Sequence, residues 1–153
     1  HLDAVVAVLK RFGVDDSSIL AAGYLHDTME DCGVGEKELA ERFGDRVADL
    51  VWAVTNVPGR NRKERTSYSR IRSVDHGTQL KLADRIANVE QCIQDARIGS
   101  GAKLAMYQDE FVDFVIGLYV PGHYTDMWRH LANLFHVSDL LEGSMFEAIK
   151  KIE

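Results

Sequence analysis

Residues 15–31 read DDSSILAAGYLHDTMED and contain the most continuous apolar run of the chain. The first four residues, 15–18, are of the types that favour helix N-caps, and residues 19–25 follow as an apolar run. A helix that is apolar nearly all round belongs in the middle of a domain. The stretch therefore predicts a central helix that ends in the pair His26-Asp27.

Apolar residues recur at helical spacing on both sides of this stretch. The predicted helices cover residues 2–9, 36–43, 47–54, 80–93, 103–119, 123–137 and 144–152, and residues 59–72 predict a polar, basic loop that runs into a helix. No stretch shows the alternating pattern of a strand over a useful length. We therefore expect an all-α fold of about seven to nine helices, with one domain covering residues 1–153.

Composition limits the class of protein. The 153 residues suffice for one domain with a real core, and no apolar run approaches the roughly 18 residues that span a bilayer. A net charge of −6 argues against binding to polymeric nucleic acid. Cys32 and Cys92 form no CxxC pair and indicate reduced thiols in a cytoplasmic protein. Because the chain opens at His1 without a methionine, we expect upstream residues to be missing.

Asp84 is a carboxylate in an apolar setting. Leu80, Ala83 and Ala87 share its side of the predicted helix, and a carboxylate in such surroundings is costly unless a cation or donors compensate it. A divalent metal is the natural compensation, and an intrahelical pair with Arg85 on a solvated face is the alternative. For His26-Asp27 the alternative is a helix C-terminus with a satisfied histidine and a capping aspartate.

Further polar residues follow these positions at a spacing of one helical turn. They are Glu30 four residues after His26, Asp31 four after Asp27, and Asn88 four after Asp84. If the helices continue, these groups point toward one mouth. The spacing predicts a metal held by His26, Asp27 and Asp84, beside a carboxylate pair that orients and deprotonates a water. Histidine and carboxylate ligands suit Mn²⁺, Fe²⁺, Co²⁺ or Zn²⁺ and disfavour Ca²⁺.

Two of these segments resemble a known family, the HD-domain phosphohydrolases. Residues 26–31, HDTMED, resemble the HDxxED motif in the hydrolase domain of RelA/SpoT-type alarmone enzymes, and residues 82–88, LADRIAN, resemble their LADRxxN segment. Between them, residues 43–55 are similar to the family's FG…V..LV..VT helix pair. The resemblance implies a single HD-domain helical bundle with a central metal site, and a small hydrolase-only relative of the long enzymes.

The resemblance also implies roles for particular residues. His1 would be the first metal ligand, with a tag remnant or a disordered terminus as the alternative. The metal would be Mn²⁺, with Fe²⁺, Co²⁺, Zn²⁺ and Mg²⁺ as alternatives. Glu30 and Asp31 would be the catalytic pair, and Asn88 would support the water or the phosphate. The sequence departs from the family at Asn56, where Lys is common after the Thr, and at Ala87, where His is usual.

A basic cluster offers a handle for the substrate. It comprises Arg60, Arg62, Lys63, Arg65, Arg70 and Arg72, and several guanidinium groups suit bidentate capture of phosphate oxygens. In the enzymes that the chain resembles, a basic segment here lies near the pyrophosphate, whereas the alternative is a solvated mobile loop. Tyr107 falls where small relatives place a ring near the nucleotide, although it could equally belong to the helix core.

These observations favour a metal-dependent phosphohydrolase acting on a nucleotide. The most specific expectation is guanosine-3′,5′-bis(diphosphate) 3′-pyrophosphohydrolase activity. Another nucleotide phosphatase is an alternative, either a dNTPase, a 5′-nucleotidase or an NADPH 2′-phosphatase. A catalytically silent nucleotide-sensing module is a further one. The expected partner is a small nucleotide, with no membrane association, and apolar residues in the last two predicted helices allow a homodimer.

Overall fold

The computed structural model describes residues 1–99 and 101–137. These residues form ten helices and no strand. The helices are α1 (Leu2–Arg11), α2 (Ser17–Leu25), α3 (Thr28–Asp31), α4 (Glu36–Phe43), α5 (Asp45–Val54), α6 (Arg62–Arg65), α7 (Tyr68–Ser73), α8 (Gly77–Ala96), α9 (Ala102–Leu118) and α10 (Thr125–Leu134). The predicted all-α class is confirmed. The number of helices exceeds the predicted seven to nine because α3 and α6 are separate single turns.

The chain divides into two compact units, His1–Asp84 and Arg85–Glu153, so that α8 contributes to both. A single domain over residues 1–153 therefore stays a prediction. The helix predicted at residues 144–152 lies outside the described residues, and so does that part of the homodimer prediction. Among the helices that the structure describes, none is both long and apolar enough to cross a bilayer.

The apolar helix predicted to be central is α2 of the first unit, in which Ile19, Ala22 and Gly23 are buried and Tyr24 is exposed. Its N-cap, Asp16, accepts hydrogen bonds from the backbone N–H groups of Ser18 and Ile19 at 2.9 and 3.3 Å. Helix α2 packs against both α1 and α5. A Cβ on its buried Gly23 would lie only 3.1 Å from methyl groups of α1, so glycine allows the two helices to approach closely. The approach matters because α1 follows His1 and α2 leads directly into His26-Asp27.

Helix α5 contributes six buried residues to the first unit and contacts α2, α3, α4 and α7. Its buried residues are Val47, Ala48, Leu50, Val51, Ala53 and Val54. Gly44 joins α4 to α5 with a φ of 92°, a left-handed conformation that glycine adopts without strain. The end of α5 thereby comes beside the single turn α3.

Helix α2 does not continue through the HDTMED segment. It ends at Leu25, whose carbonyl accepts a hydrogen bond from Thr28 Oγ1 at 2.7 Å. A hydroxyl that bonds to the backbone in this way competes with the helical pattern. The chain re-enters a helix as α3, where the Asp31 N–H donates to the Asp27 carbonyl at 2.8 Å. Glu30 and Asp31 therefore stand on their own short turn.

The second unit has its own apolar core, built by α9 and α10 with the later part of α8. Its large buried side chains include Phe111, Phe114, Leu118, Trp128 and Leu131. The Phe114 and Trp128 rings lie 5.6 Å apart between centroids.

Candidate metal centre

Four histidine and aspartate side chains of the first unit converge. The ligand atoms of His1, His26 and Asp27 lie within 4.8 Å of one another. Asp84 Oδ1 lies 3.1 Å from His1 Nε2 and 3.4 Å from His26 Nε2, while Asp27 Oδ1 lies 3.1 Å from His26 Nε2. The start of α1, the turn between α2 and α3, and α8 thus bring together residues as far as 83 positions apart.

The orientation of the His26 ring is set by the backbone. Its Nδ1 lies 2.8 Å from the Gly23 carbonyl oxygen. A carbonyl only accepts hydrogen bonds, so Nδ1 carries a proton and Nε2 presents its lone pair in the neutral ring. His26 is 4% exposed, and in the described part of the chain its Nε2 has no hydrogen-bond partner. A buried nitrogen of this kind is suited to bind a metal ion, with Gly23 as its outer support.

The Asp84 carboxylate is shared between the histidines and a lysine. Lys81 Nζ donates to Asp84 Oδ2 at 3.2 Å, which leaves Oδ1 facing the two histidines. Burial alone would raise the pKa of Asp84, but Lys81 and His26 outweigh burial and hold that pKa well below its usual range. Asp84 is therefore an anion at neutral pH, as a metal ligand must be.

Asp27 and His26 respond to the same crowding of negative charge. Burial raises the pKa of Asp27, the nearby His26 lowers it, and the Asp84 and Asp31 carboxylates raise it further. For His26, burial lowers the pKa, but the contact with Asp84, the Gly23 carbonyl and the Asp27 charge together raise it by more. The pKa values of Asp27 and His26 are thus both raised, as expected where several carboxylates lie together without enough positive charge. A divalent cation would supply that charge, and these residues fit one that accepts nitrogen and oxygen ligands.

The two carboxylates of α3 are held differently. Glu30 accepts a hydrogen bond from the backbone N–H of Asn56 at 2.6 Å and another from Asn56 Nδ2 at 3.2 Å. Asp31 is exposed and linked to Asp27 through the backbone bond that forms α3. Asn56 contacts a predicted catalytic residue, and the sequence pattern did not indicate this contact. Its only signal was an amide directly after Thr55, where Lys is common in the family.

The basic segment is exposed but has a defined structure. Arg60 pairs with Glu64, with Arg60 Nη2 2.8 Å from Glu64 Oε1. Asn61 caps α6 by accepting from the Glu64 N–H at 3.0 Å, and the Val57 N–H donates to the Arg65 carbonyl at 2.9 Å. The predicted substrate-binding residues Arg60, Arg62, Lys63 and Arg65 all lie on this exposed segment. Val57, the residue that this segment contacts through its Arg65 carbonyl, directly follows Asn56.

Two predicted site residues belong to the second unit. Asn88 is half-buried on α8, four residues after Asp84. Tyr107 is buried on α9, and the Arg85 guanidinium lies over its ring at 4.8 Å from the centroid. The roles predicted for Asn88 and Tyr107 stay predictions, as do those of the metal and catalytic residues above.

Comparison with known families decides the classification. A family model described as "HD domain" matches residues 1–100, which include all four converging side chains. The chain belongs to the HD-domain family. HD domains are in general dependent on divalent metals, which agrees with the centre formed by His1, His26, Asp27 and Asp84.

Relatives of this HD-domain chain are named as guanosine-3′,5′-bis(diphosphate) 3′-pyrophosphohydrolases and as GTP pyrophosphokinases. A guanosine-3′,5′-bis(diphosphate) 3′-pyrophosphohydrolase of Aquifex aeolicus (strain VF5) is 38% identical over 93 residues, which cover 56% of this chain and 13% of the relative. A probable GTP pyrophosphokinase of Mycobacterium leprae (strain TN) is 35% identical over 96 residues, which cover 58% of this chain and 12% of that protein. The chain therefore spans only about an eighth of the length of these relatives.

A solved structure resembles the chain over more of its length. The crystal structure of lmo0812 from Listeria monocytogenes EGD-e matches with a TM-score of 0.64 at 24% identity, covering 89% of this chain and 94% of that one. At this identity the likeness concerns the fold alone.

Proposed function

We propose that this HD-domain chain is a metal-dependent phosphohydrolase that removes the 3′-pyrophosphate from guanosine-3′,5′-bis(diphosphate). The observation that carries the proposal is the buried His26 Nε2, which has no hydrogen-bond partner among the described residues and lies 3.1 Å from Asp27 Oδ1 and 3.4 Å from Asp84 Oδ1. The substrate is suggested by the Aquifex aeolicus relative, whose name states this reaction. The HDTMED and LADRIAN motifs support the same choice.

His1, His26, Asp27 and Asp84 would hold the metal ion, which we propose to be Mn²⁺. A divalent cation in such a site would act as a Lewis acid and would lower the pKa of water toward neutral pH. The carboxylates provide the negative charge, and His26 contributes a lone pair whose direction the Gly23 carbonyl fixes.

The chain's other residues would handle the proton and the phosphate. Glu30 or Asp31 accepts a proton from the attacking water as its oxygen bonds to phosphorus. The bond from phosphorus to the 3′-oxygen breaks, and that oxygen leaves with the electron pair and takes up a proton from solvent. Arginines of the exposed segment would offset the charge that develops on the phosphoryl oxygens. The Arg65 carbonyl of this segment accepts a hydrogen bond from Val57, which directly follows Asn56, the residue that donates to Glu30.

A hydrolysis assay tests this proposal. The protein is loaded with Mn²⁺ and given a panel of guanosine-3′,5′-bis(diphosphate), NADPH, dNTPs and nucleoside monophosphates, with phosphate and pyrophosphate release measured separately. We expect pyrophosphate release from the alarmone that Asp84→Asn abolishes. Asp126→Asn, at an exposed aspartate of α10, should retain the activity.

The other outcomes are distinct. Hydrolysis of another panel member would move the substrate to the corresponding nucleotide phosphatase. Nucleotide binding without turnover, in protein that retains its metal, would favour the sensing module. Equal activity in Asp84→Asn and Asp126→Asn would overturn the role given to Asp84.

A further inference from the structure

Glu30 stands on a helix too short to fix its side chain. Helix α3 has four residues, and its N-cap makes no side-chain capping bond. A helix of this length is not stable by itself. Glu30 is also exposed, and a long exposed side chain samples several rotamers unless something outside its own helix holds it.

Asn56 provides that contact from another part of the fold. Its backbone N–H donates to Glu30 Oε1 at 2.6 Å, and its side-chain Nδ2 donates to Oε2 at 3.2 Å. The two donors of one residue engage both oxygens of the carboxylate. Such two-point contact restricts the plane of a carboxylate as well as its position.

The backbone on either side of Asn56 is itself anchored. Thr55 donates from its backbone N–H and from its Oγ1 to the carbonyl of Val51, a buried residue of α5. Val57 donates its N–H to the Arg65 carbonyl at 2.9 Å. The donors that hold Glu30 are therefore attached to the core of the first unit through α5.

An amide suits this task because it is neutral. A carboxylate has about four lone-pair sites, and the two bonds from Asn56 leave some of them available. Donors without charge orient the carboxylate and leave its negative charge in place. The group can then still accept a proton.

We propose that Asn56 is a positioning residue that holds the Glu30 carboxylate in the orientation needed for proton transfer. The inference rests on the proposed function, in which Glu30 and Asp31 accept the proton of the attacking water. Asn56 acts through Glu30 and need not touch the substrate.

A double-mutant cycle tests the proposal. Asn56→Ala, Glu30→Gln and the double variant are compared with the Mn²⁺-loaded protein, using guanosine-3′,5′-bis(diphosphate) as substrate. We expect Asn56→Ala to lower kcat by about 10-fold and to change KM by less than about twofold, because misplacing a catalytic group affects turnover. In the Glu30→Gln background the same substitution should change kcat by less than about twofold.

The control is Asn133→Ala, at an exposed asparagine of α10, which should leave kcat and KM unchanged. An equal loss from Asn56→Ala in both backgrounds would overturn the inference, because Asn56 would then act independently of Glu30. An unchanged kcat in Asn56→Ala, with an active parent, would overturn it as well. A parent inactive on the whole panel would instead overturn the proposed function, and this role with it.

A measurement without substrate tests the contact itself. A short hydrogen bond to a carboxylate moves an amide proton downfield, so the Asn56 N–H signal in a ¹H–¹⁵N spectrum should shift upfield in Glu30→Gln. An unshifted signal would show that the contact is absent in solution and would overturn the inference whatever the activity.

Discussion

Arg85 offers the sharpest test of the packing of the second unit. It is 4% exposed in the second unit, with Nη2 3.1 Å from Glu110 Oε2. Its guanidinium also lies over the Phe114 and Tyr107 rings, at 4.3 and 4.8 Å from their centroids. We expect Arg85→Ala to destabilise the protein severely, because the change leaves Glu110 without this partner and removes the group stacked on two rings.

The magnitude follows from burial. Removing one partner of a buried ion pair costs about 3–5 kcal/mol. The lower end of that range applies because the Glu110 side chain is 26% exposed, and lost stacking adds about 1 kcal/mol. We therefore expect a loss of about 4 kcal/mol. The matched control is Arg129→Ala, whose pair with Asp126 joins side chains 65% and 83% exposed. Its expected loss is at most about 1 kcal/mol.

Urea unfolding followed by circular dichroism, at neutral pH with a chelator present, measures both values. The free energy of unfolding of Arg85→Ala should lie about 3 kcal/mol below that of Arg129→Ala. A difference under about 1 kcal/mol would refute the reasoning, since it would place the Arg85 guanidinium in solvent rather than in the core.

Three further predictions concern stability and reactivity. A Cβ at Gly77 would lie 2.3 Å from the Ile71 carbonyl oxygen, so Gly77→Ala should lower the free energy of unfolding in urea by about 2–3 kcal/mol. The control is Gly35→Ala, at a position where no atom would meet the added Cβ. A loss in Gly77→Ala no larger than in this control would contradict the prediction. Burial raises the pKa of Cys92 and so lowers the share of its reactive thiolate. A thiol reagent at pH 8 should therefore modify the exposed Cys32 before the buried Cys92, and equal rates of modification would contradict this prediction. Mn²⁺ at about 100 times its Kd should stabilise the protein by about 2.7 kcal/mol, reversibly with chelator; an unchanged Tm would count against the site.

The helical class of the fold could be predicted from local pattern. The apolar run at residues 19–25 and its N-cap residues correspond to α2, and Asp16 forms the cap that its type predicts. The predicted end of this helix at His26-Asp27 agrees with the end of α2 at Leu25. The separate turn that carries Glu30 and Asp31 could not be predicted from periodicity, because it involves a hydrogen bond from the Thr28 hydroxyl to the backbone. The single turns α3 and α6 escaped prediction for the same reason, since each depends on side-chain and loop contacts.

Sequence motifs indicated the candidate metal-binding residues, whereas contacts between residues distant in sequence could not be predicted. From the sequence, an ion pair between the adjacent residues Asp84 and Arg85 on a solvated helix face was the alternative to metal binding by Asp84. In the structure Asp84 pairs with Lys81 and the histidines, whereas Arg85 is buried against Glu110. The bond between Glu30 and Asn56 spans 26 positions, and no local spacing indicates it.

Mn²⁺ binding tests the metal centre most directly. Titration followed by the electron paramagnetic resonance signal of free Mn²⁺ counts bound ions without requiring a substrate. The converging side chains predict one Mn²⁺ per chain, with binding lost in His26→Ala and Asp84→Asn and retained in Asp126→Asn. A parent protein that leaves the free Mn²⁺ signal undiminished would contradict the centre, and so would an Asp84→Asn variant that binds Mn²⁺ as the parent does.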